Sequence, residues 1–291
     1  MPADTATPAD TALLFPGQGS QTDDMRELVE RVRPQLLEQA IDELGVDPFE
    51  RVDEGTAFAQ PALYCASLAG WVAAGQPTAS FMAGHSLGEL AALVAAGSLS
   101  EADGLSLALT RGRVMQEAAE SGPPGGMLAA LGDEDRTRAV AERLGLTVAN
   151  DNAPGQLVLS GSREALADAR TELKQAGLRT IRLRVQGAFH SPAMTAAVPE
   201  FEAALAEVPF APPTVPVLSS TTARPFDDVR RRLAEALVRP VRWREALVAL
   251  YAAGVRRFVE TGPGNVLTGL VRRTLDTVDA TTVTQPEAER A

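Results

Sequence analysis

Residues 79–97 read ASFMAGHSLGELAALVAAG. The opening, ASFMAGHS, is strand-like, and the residues after the serine are rich in strong helix formers. Between them lies G-x-S-x-G, as GHSLG at 84–88. A sharp strand-to-helix turn of this kind lifts a serine hydroxyl above the end of a sheet. Its glycines are needed because the turn is tight and neighbouring backbone comes close. The helix after the turn points free N–H groups and its positive dipole end at the serine, where an anionic tetrahedral intermediate is stabilised. Ser86 is therefore a candidate nucleophile, although the same pattern also serves as a plain turn.

Working outward, strand, tight turn and helix recur. TALLFPGQGSQ at 11–21 is an apolar strand running into a glycine-rich turn, and helical text runs from about Asp24 to Leu44. QPALYCASLAGWVAA (60–74) and DGLSLALTRGRVMQEAA (103–119) read as further helices. The repetition predicts an α/β-hydrolase-like core with a parallel sheet. The text changes at SGPPGG (121–126), which reads as a linker, and the stretch after it runs βαββαβ, the order of a ferredoxin-like subdomain. After Gly187 the chain returns to the larger domain, with helices at VPEFEAALAEV and DDVRRRLAEALV and strands at PPTVPVLSS and VRRFVETGP. The expected organisation is a discontinuous large domain (11–122 and 188–280), a small subdomain (123–187), and flexible tails at 1–10 and 281–291.

The net charge of −11 argues against a nucleic-acid binder. Arginine clusters at 230–232, 256–257 and 272–273 are candidates for an acidic partner, against the plainer reading of solvated helix faces. One cysteine, Cys65, excludes an internal disulfide and any cysteine cluster, and two histidines argue against a histidine metal site. The lack of a long apolar run or a basic-then-apolar N-terminus leads to the expectation of a cytoplasmic protein, away from membranes.

A serine nucleophile needs a base. Only His85 and His190 are available, and His85, adjacent on a sharp turn, is expected to point elsewhere. That leaves His190 in QGAFHSPAM. No acidic residue stands out as a third triad member, and a backbone carbonyl is an alternative. The turn in LLFPGQGSQ offers N–H groups for the other half of an oxyanion hole, or is a phosphate-binding turn or a loop. It lacks the third glycine of the dinucleotide pattern. Arg111 interrupts an apolar helix face one turn before Met115. A buried arginine is costly unless it meets an anion, either a nearby carboxylate or a ligand.

Seven stretches in this order, LFPGQGSQ, QPAL, GHSLGE, TRGRVMQ, GAFHSPAM, PVRW and ETGPGNVLTGL, resemble the malonyl-CoA:acyl-carrier-protein transacylase family, to which the acyltransferase domains of fatty-acid and polyketide synthases are related. The resemblance spans about residues 11–278. It implies that Ser86 is acylated, that His190 is its base in a Ser–His dyad, and that the N–H groups of Gln18 and Leu87 form the oxyanion hole. It implies that Arg111 clamps the malonyl carboxylate, with Gln60 and Asn152 lining the pocket beside Met115. Phe189 resembles the version of GAFH associated with malonyl rather than methylmalonyl groups. Where the family often carries a glutamine whose carbonyl orients the histidine, this chain has Ala236; a carbonyl contact survives that change.

The resulting expectation is a monomeric malonyl transferase of fatty-acid synthesis. Malonyl-CoA is its donor and acyl carrier protein its partner, and it needs neither metal nor cofactor. A polyketide or malonate-decarboxylase system is the alternative setting. A serine thioesterase shares the turn but has no use for Arg111. A non-catalytic carrier-docking module needs neither Ser86 nor His190.

Overall fold

The computed structural model describes residues 10–283. Most of the two expected tails, 1–9 and 284–291, therefore lies outside the described residues.

The chain begins with β1 (Thr11–Phe15), α1 (Met25–Val32), α2 (Pro34–Leu44), α3 (Thr56–Ala73), β2 (Phe81–Gly84), α4 (Gly88–Ala95) and α5 (Glu101–Ser121). An inserted unit comes next, with β3 (Gly125–Leu131), α6 (Glu134–Arg143), β4 (Thr147–Ala153), β5 (Gln156–Ser162), α7 (Arg163–Gln175) and β6 (Arg179–Arg182). The chain then continues through α8 (Val198–Glu207), β7 (Val217–Ser219), β8 (Arg224–Pro225), α9 (Val229–Glu235), α10 (Trp243–Ala252), β9 (Arg257–Glu260), α11 (Val266–Thr274) and β10 (Asp279–Thr282). The fold is mixed α/β. Its larger sheet has the order β10-β9-β1-β2-β7-β8, parallel throughout except for the short antiparallel edge β8.

β1 explains the layering. Its five residues are buried, as expected for a central parallel strand covered on both faces. The two-residue period sends Leu13 and Phe15 into one core with α3, α4 and α5. Ala12 and Leu14 go into the opposite core with α10 and α11. Each fully buried Leu or Phe contributes roughly 1.5–3 kcal/mol.

The second sheet has the order β4-β5-β3-β6 and is antiparallel throughout. β3 again divides its faces. Leu128 and Ala130 pack on α6 and α7, while Met127 and Ala129 join the main core. A polar seam ties this unit to the large one. Asp151 N donates to Val241 O at 2.9 Å and Val241 N to Ala149 O at 2.8 Å.

The helical text over 24–44 forms two helices, because Pro34 starts α2 and its ring pushes Arg33 out of helical geometry (φ −140°, ψ 57°). Two sequence expectations are corrected. The linker at 121–126 is shorter, since Ser121 ends α5 and Gly125 already begins β3. The tail expected from residue 281 starts too early. Thr281 and Thr282 pair with Val259 and Glu260 in β10, where β-branched threonine suits a strand.

Candidate active site

The GHSLG turn is built from close contacts that side chains would block. A β-carbon on Gly84 would lie 2.0 Å from the Gly88 carbonyl carbon, and one on Gly88 would lie 2.1 Å from Phe15 O. Ser86 itself takes a left-handed φ of +54°. That conformation costs a non-glycine residue about 1 kcal/mol or more. His190 is also left-handed, at φ +56°. Gln76, Ala223 and Thr277 share this left-handed geometry outside the site, so it is the meeting of Ser86 and His190, and not the φ alone, that sets the two apart.

The two residues meet. Ser86 Oγ lies 2.8 Å from His190 Nε2. His190 Nδ1 lies 2.8 Å from Ala236 O and 3.2 Å from Arg239 O. Carbonyl oxygens only accept, so Nδ1 carries the hydrogen and Nε2 presents its lone pair to the serine. Burial, then the Arg111 guanidinium, then His85, hold the imidazole pKa down to about 3 against the pull of the two carbonyls. The ring is therefore a neutral base at neutral pH. Nδ1 is thus oriented by two backbone carbonyls.

Arg111 reaches this point from α5, whose first turn is capped where Asp103 N donates to Ser100 Oγ. The helix approaches α3 closely at Gly112, where a β-carbon would lie 2.8 Å from Thr56 O. Arg111 is buried, at 4% exposure. Its Nη1 donates to Gln60 Oε1 at 2.6 Å and its Nη2 to Ser86 Oγ at 3.1 Å. No carboxylate lies within 4.0 Å of it among the described residues. Burial lowers its pKa to about 10, with the Glu89 charge pulling the other way. Glu89, also buried, is pushed up to about 7 by burial and accepts the Ser220 N–H at 2.6 Å. The guanidinium thus has only neutral partners. Gln60 continues the chain of bonds, donating to Thr56 Oγ1 at 2.9 Å, and Thr56 Oγ1 donates to Gln18 Oε1 at 3.0 Å.

His85 lines the same cavity as Ser86 and His190 but makes no hydrogen bond to Ser86. Its Nε2 lies 2.9 Å from Asn152 Oδ1, and its ring stands edge-on to Trp243 with centroids 5.3 Å apart. Asn152 thus holds a histidine across the seam as well as lining the site. No protein hydrogen bond to the N–H of Gln18 or Leu87 is found among the described residues.

All nine residues singled out in the sequence (Ser86, His190, Gln18, Leu87, Arg111, Gln60, Met115, Phe189 and Asn152) line one cavity of about 120 Å³. That is the scale of a short acyl group. Met127, Asn150 and Val158 of the small sheet close it. The cavity adjoins a cleft of about 870 Å³, and Gln18, Asn152 and Phe189 belong to both. Sequence reasoning missed Thr56 and the small-sheet wall, whose residues carry no motif. Among the described residues no group of three or more His, Cys, Asp or Glu is disposed to hold a metal, and no helix is long and apolar enough to cross a membrane. The arginine clusters that suggest an acidic partner are mostly occupied. Arg231 and Arg232 pair with Asp227 and Glu235, Arg257 pairs with Asp279, and Arg230 covers Phe210.

A family model described as the acyl transferase domain matches residues 13–286. The malonyl CoA-acyl carrier protein transacylase of Escherichia coli K12 is 37% identical over 303 residues, covering 96% of this chain and 97% of the relative. The polyketide biosynthesis protein ThaF of Burkholderia thailandensis is 40% identical over 284 residues; these cover 91% of this chain but only 24% of that protein. Among solved structures, the acyl-carrier-protein-S-malonyltransferase of Bartonella henselae superposes with a TM-score of 0.87 at 34% identity, with 96% of each chain covered. A malonyl-transacylase in complex with its type II PKS acyl-carrier protein superposes at 0.85 and 34% identity, covering 94% of this chain and 96% of that one.

Proposed function

The chain belongs to the acyl transferase domain family and transfers malonyl groups to acyl carrier protein; we propose that it does so in two steps, through a malonyl ester of Ser86. The observation that carries this reading is Arg111, a buried cation with no carboxylate partner whose Nη2 lies 3.1 Å from the serine oxygen. A malonyl group brings the missing carboxylate to it, and the guanidinium fork suits that anion.

In the first step Ser86 Oγ attacks the malonyl-CoA thioester carbonyl while His190 Nε2 takes its proton. The N–H groups of Gln18 and Leu87 receive the oxyanion. Collapse breaks the C–S bond, His190 returns the proton to the CoA thiolate, and CoA leaves. In the second step the phosphopantetheine thiol of the carrier protein gives its proton to His190, attacks the ester and takes the malonyl group, and Ser86 regains its proton. The base and the oxyanion donors each contribute about 10²–10⁴ in rate. These steps draw on the chain's own groups, a thioester donor and a thiol acceptor.

Phe189 beside the base favours malonyl over methylmalonyl, although one methyl group is worth only about 1–3 kcal/mol. We read the parallel sheet as an α/β-hydrolase-like core, the insert as ferredoxin-like, and the working form as a cytoplasmic monomer. Both fatty-acid and polyketide systems offer such a carrier protein.

The test is intact mass after mixing with malonyl-CoA, beside acetyl-CoA and a Ser86→Ala control. The expected result is a malonyl adduct that is absent from the variant and weak with acetyl-CoA. Release of free CoA and malonate without an adduct would make the protein a hydrolase.

A further inference from the structure

The segment Arg182–Gln186 leaves β6 and runs along the active-site cleft. Its residues alternate in what they line. Leu183 and Val185 border both the inner cavity and the outer cleft, whereas Arg182, Arg184 and Gln186 border the outer cleft alone. This is the two-residue period of an extended chain, apolar towards the acyl group and polar towards the mouth. Gln186 fastens the segment to the large domain by donating to Glu54 O at 3.0 Å.

Arg182 and Arg184 are both exposed, and among the described residues neither has a carboxylate within 4.0 Å. The arginines of the seam and of α9, by contrast, are committed to carboxylates. Asp53 is the one carboxylate lining the outer cleft, so the mouth carries a positive excess in a chain whose net charge is −11. The rest of the cleft is neutral. It includes the Gly17–Gln21 turn, the apolar Val266, Leu267 and Leu270, and His85, whose pKa burial lowers.

A pantetheine arm has a matching profile: a thiol at one end, amides and methyl groups along its length, and a phosphate ester at the other end. We propose that Arg182 and Arg184 bind the phosphate at the far end of that arm, the group shared by CoA thioesters and carrier-bound thioesters. This rests on the function proposed above. The neutral cleft takes the arm, the inner cavity takes the acyl group, and the arginine pair sets how deeply the thioester is drawn in.

The experiment compares wild type with the double variant Arg182→Ala/Arg184→Ala on three malonyl donors. They are malonyl-CoA, a malonyl carrier protein run in the reverse direction, and the phosphate-free malonyl-N-acetylcysteamine; the readout is kcat/KM for Ser86 acylation. Arg170→Ala, an exposed change on α7 away from the cleft, is the charge control.

The expected result is a loss of about tenfold or more with both phosphate-bearing donors, mainly in KM, with the truncated donor and the control unchanged. Equal loss on all three donors would make the arginines structural and overturn the proposal. Loss with the carrier protein alone would assign them to the carrier's acidic surface, and loss with malonyl-CoA alone to the nucleotide; either overturns it, as does no loss at all. Acylation of wild type by the truncated donor tests the Ser86 reading separately, so a failure of that reading is not mistaken for a failure of this one.

Discussion

Two arginines in this molecule do opposite things with their charge. In the seam between the two sheets, Arg244 donates to Glu134 at 2.8 Å and to Asp151 at 2.6 Å, and Arg138 reaches the same Asp151 oxygen at 2.9 Å. At the floor of the site, Arg111 is more deeply buried but meets only an amide and a hydroxyl. A cation paired at rest stabilises the fold. A cation buried with neutral partners destabilises the resting protein and recovers that energy when an anion arrives. The seam arginines have their anions within the chain, and Arg111 has only neutral hydrogen-bond partners.

Substituting each arginine by methionine, which keeps much of the apolar stem, is the strongest way to break this contrast. Arg111→Met should cut kcat/KM for malonyl-CoA by about 10²–10³, the cost of leaving a buried carboxylate without its partner. Its melting temperature should hold or rise, since a desolvated charge is removed. Arg244→Met should do the reverse, with near-normal acylation and a melting point lower by about 2–6 °C. A large thermal loss in Arg111→Met would mean that the floor arginine is structural as well, and the comparison would fail.

The floor also has a pH signature that the seam lacks. With its pKa held near 3, His190 stays a neutral base well below the ordinary histidine range. Labelling of Ser86 by a fluorophosphonate needs that base but no malonyl carboxylate. Its rate should stay level from about pH 8 to about pH 5. Arg111→Met removes a cation from beside the ring, so the acid limb should move to higher pH, whereas Arg244→Met should leave it in place. A wild-type limb near pH 6.5 would show that the ring is not held down by its surroundings.

How much of this is legible in the sequence depends on whether a contact needs a particular side chain. Ser86, His190 and Arg111 stand out in compact motifs, and one cavity unites them with the other six residues. The carbonyls that orient His190 leave almost no mark, since any residue offers one; Ala236 is reached only through the family resemblance, and Arg239 not at all. Thr56, the link from Gln60 to Gln18, looks like an ordinary helix start. The arginine clusters at 230–232 and 256–257 stand out because their charges are adjacent in sequence, yet most are neutralised by neighbours in space. Arg182 and Arg184 do not stand out, because alternation with Leu183 and Val185 reads simply as a strand. Pro34 is a legible helix break, but the longer apolar period around it masks the boundary.

The smallest effect tests whether the floor holds strain as well as charge. Ser86 at φ +54° occupies a conformation that glycine adopts freely and alanine does not. Ser86→Gly and Ser86→Ala both remove the hydroxyl, so on the proposed mechanism neither should form an acyl adduct, and their difference isolates the backbone. Glycine also gains entropy in the unfolded chain, which by itself would make the glycine variant the weaker. Relief of the left-handed φ should outweigh that by about 1 kcal/mol, so that Ser86→Gly melts about 2–4 °C above Ser86→Ala. If alanine is as stable as glycine, the turn relaxes once the serine is gone. The left-handed backbone would then be a consequence of the Ser86–His190–Arg111 hydrogen bonds, and not a geometry the fold imposes to make them.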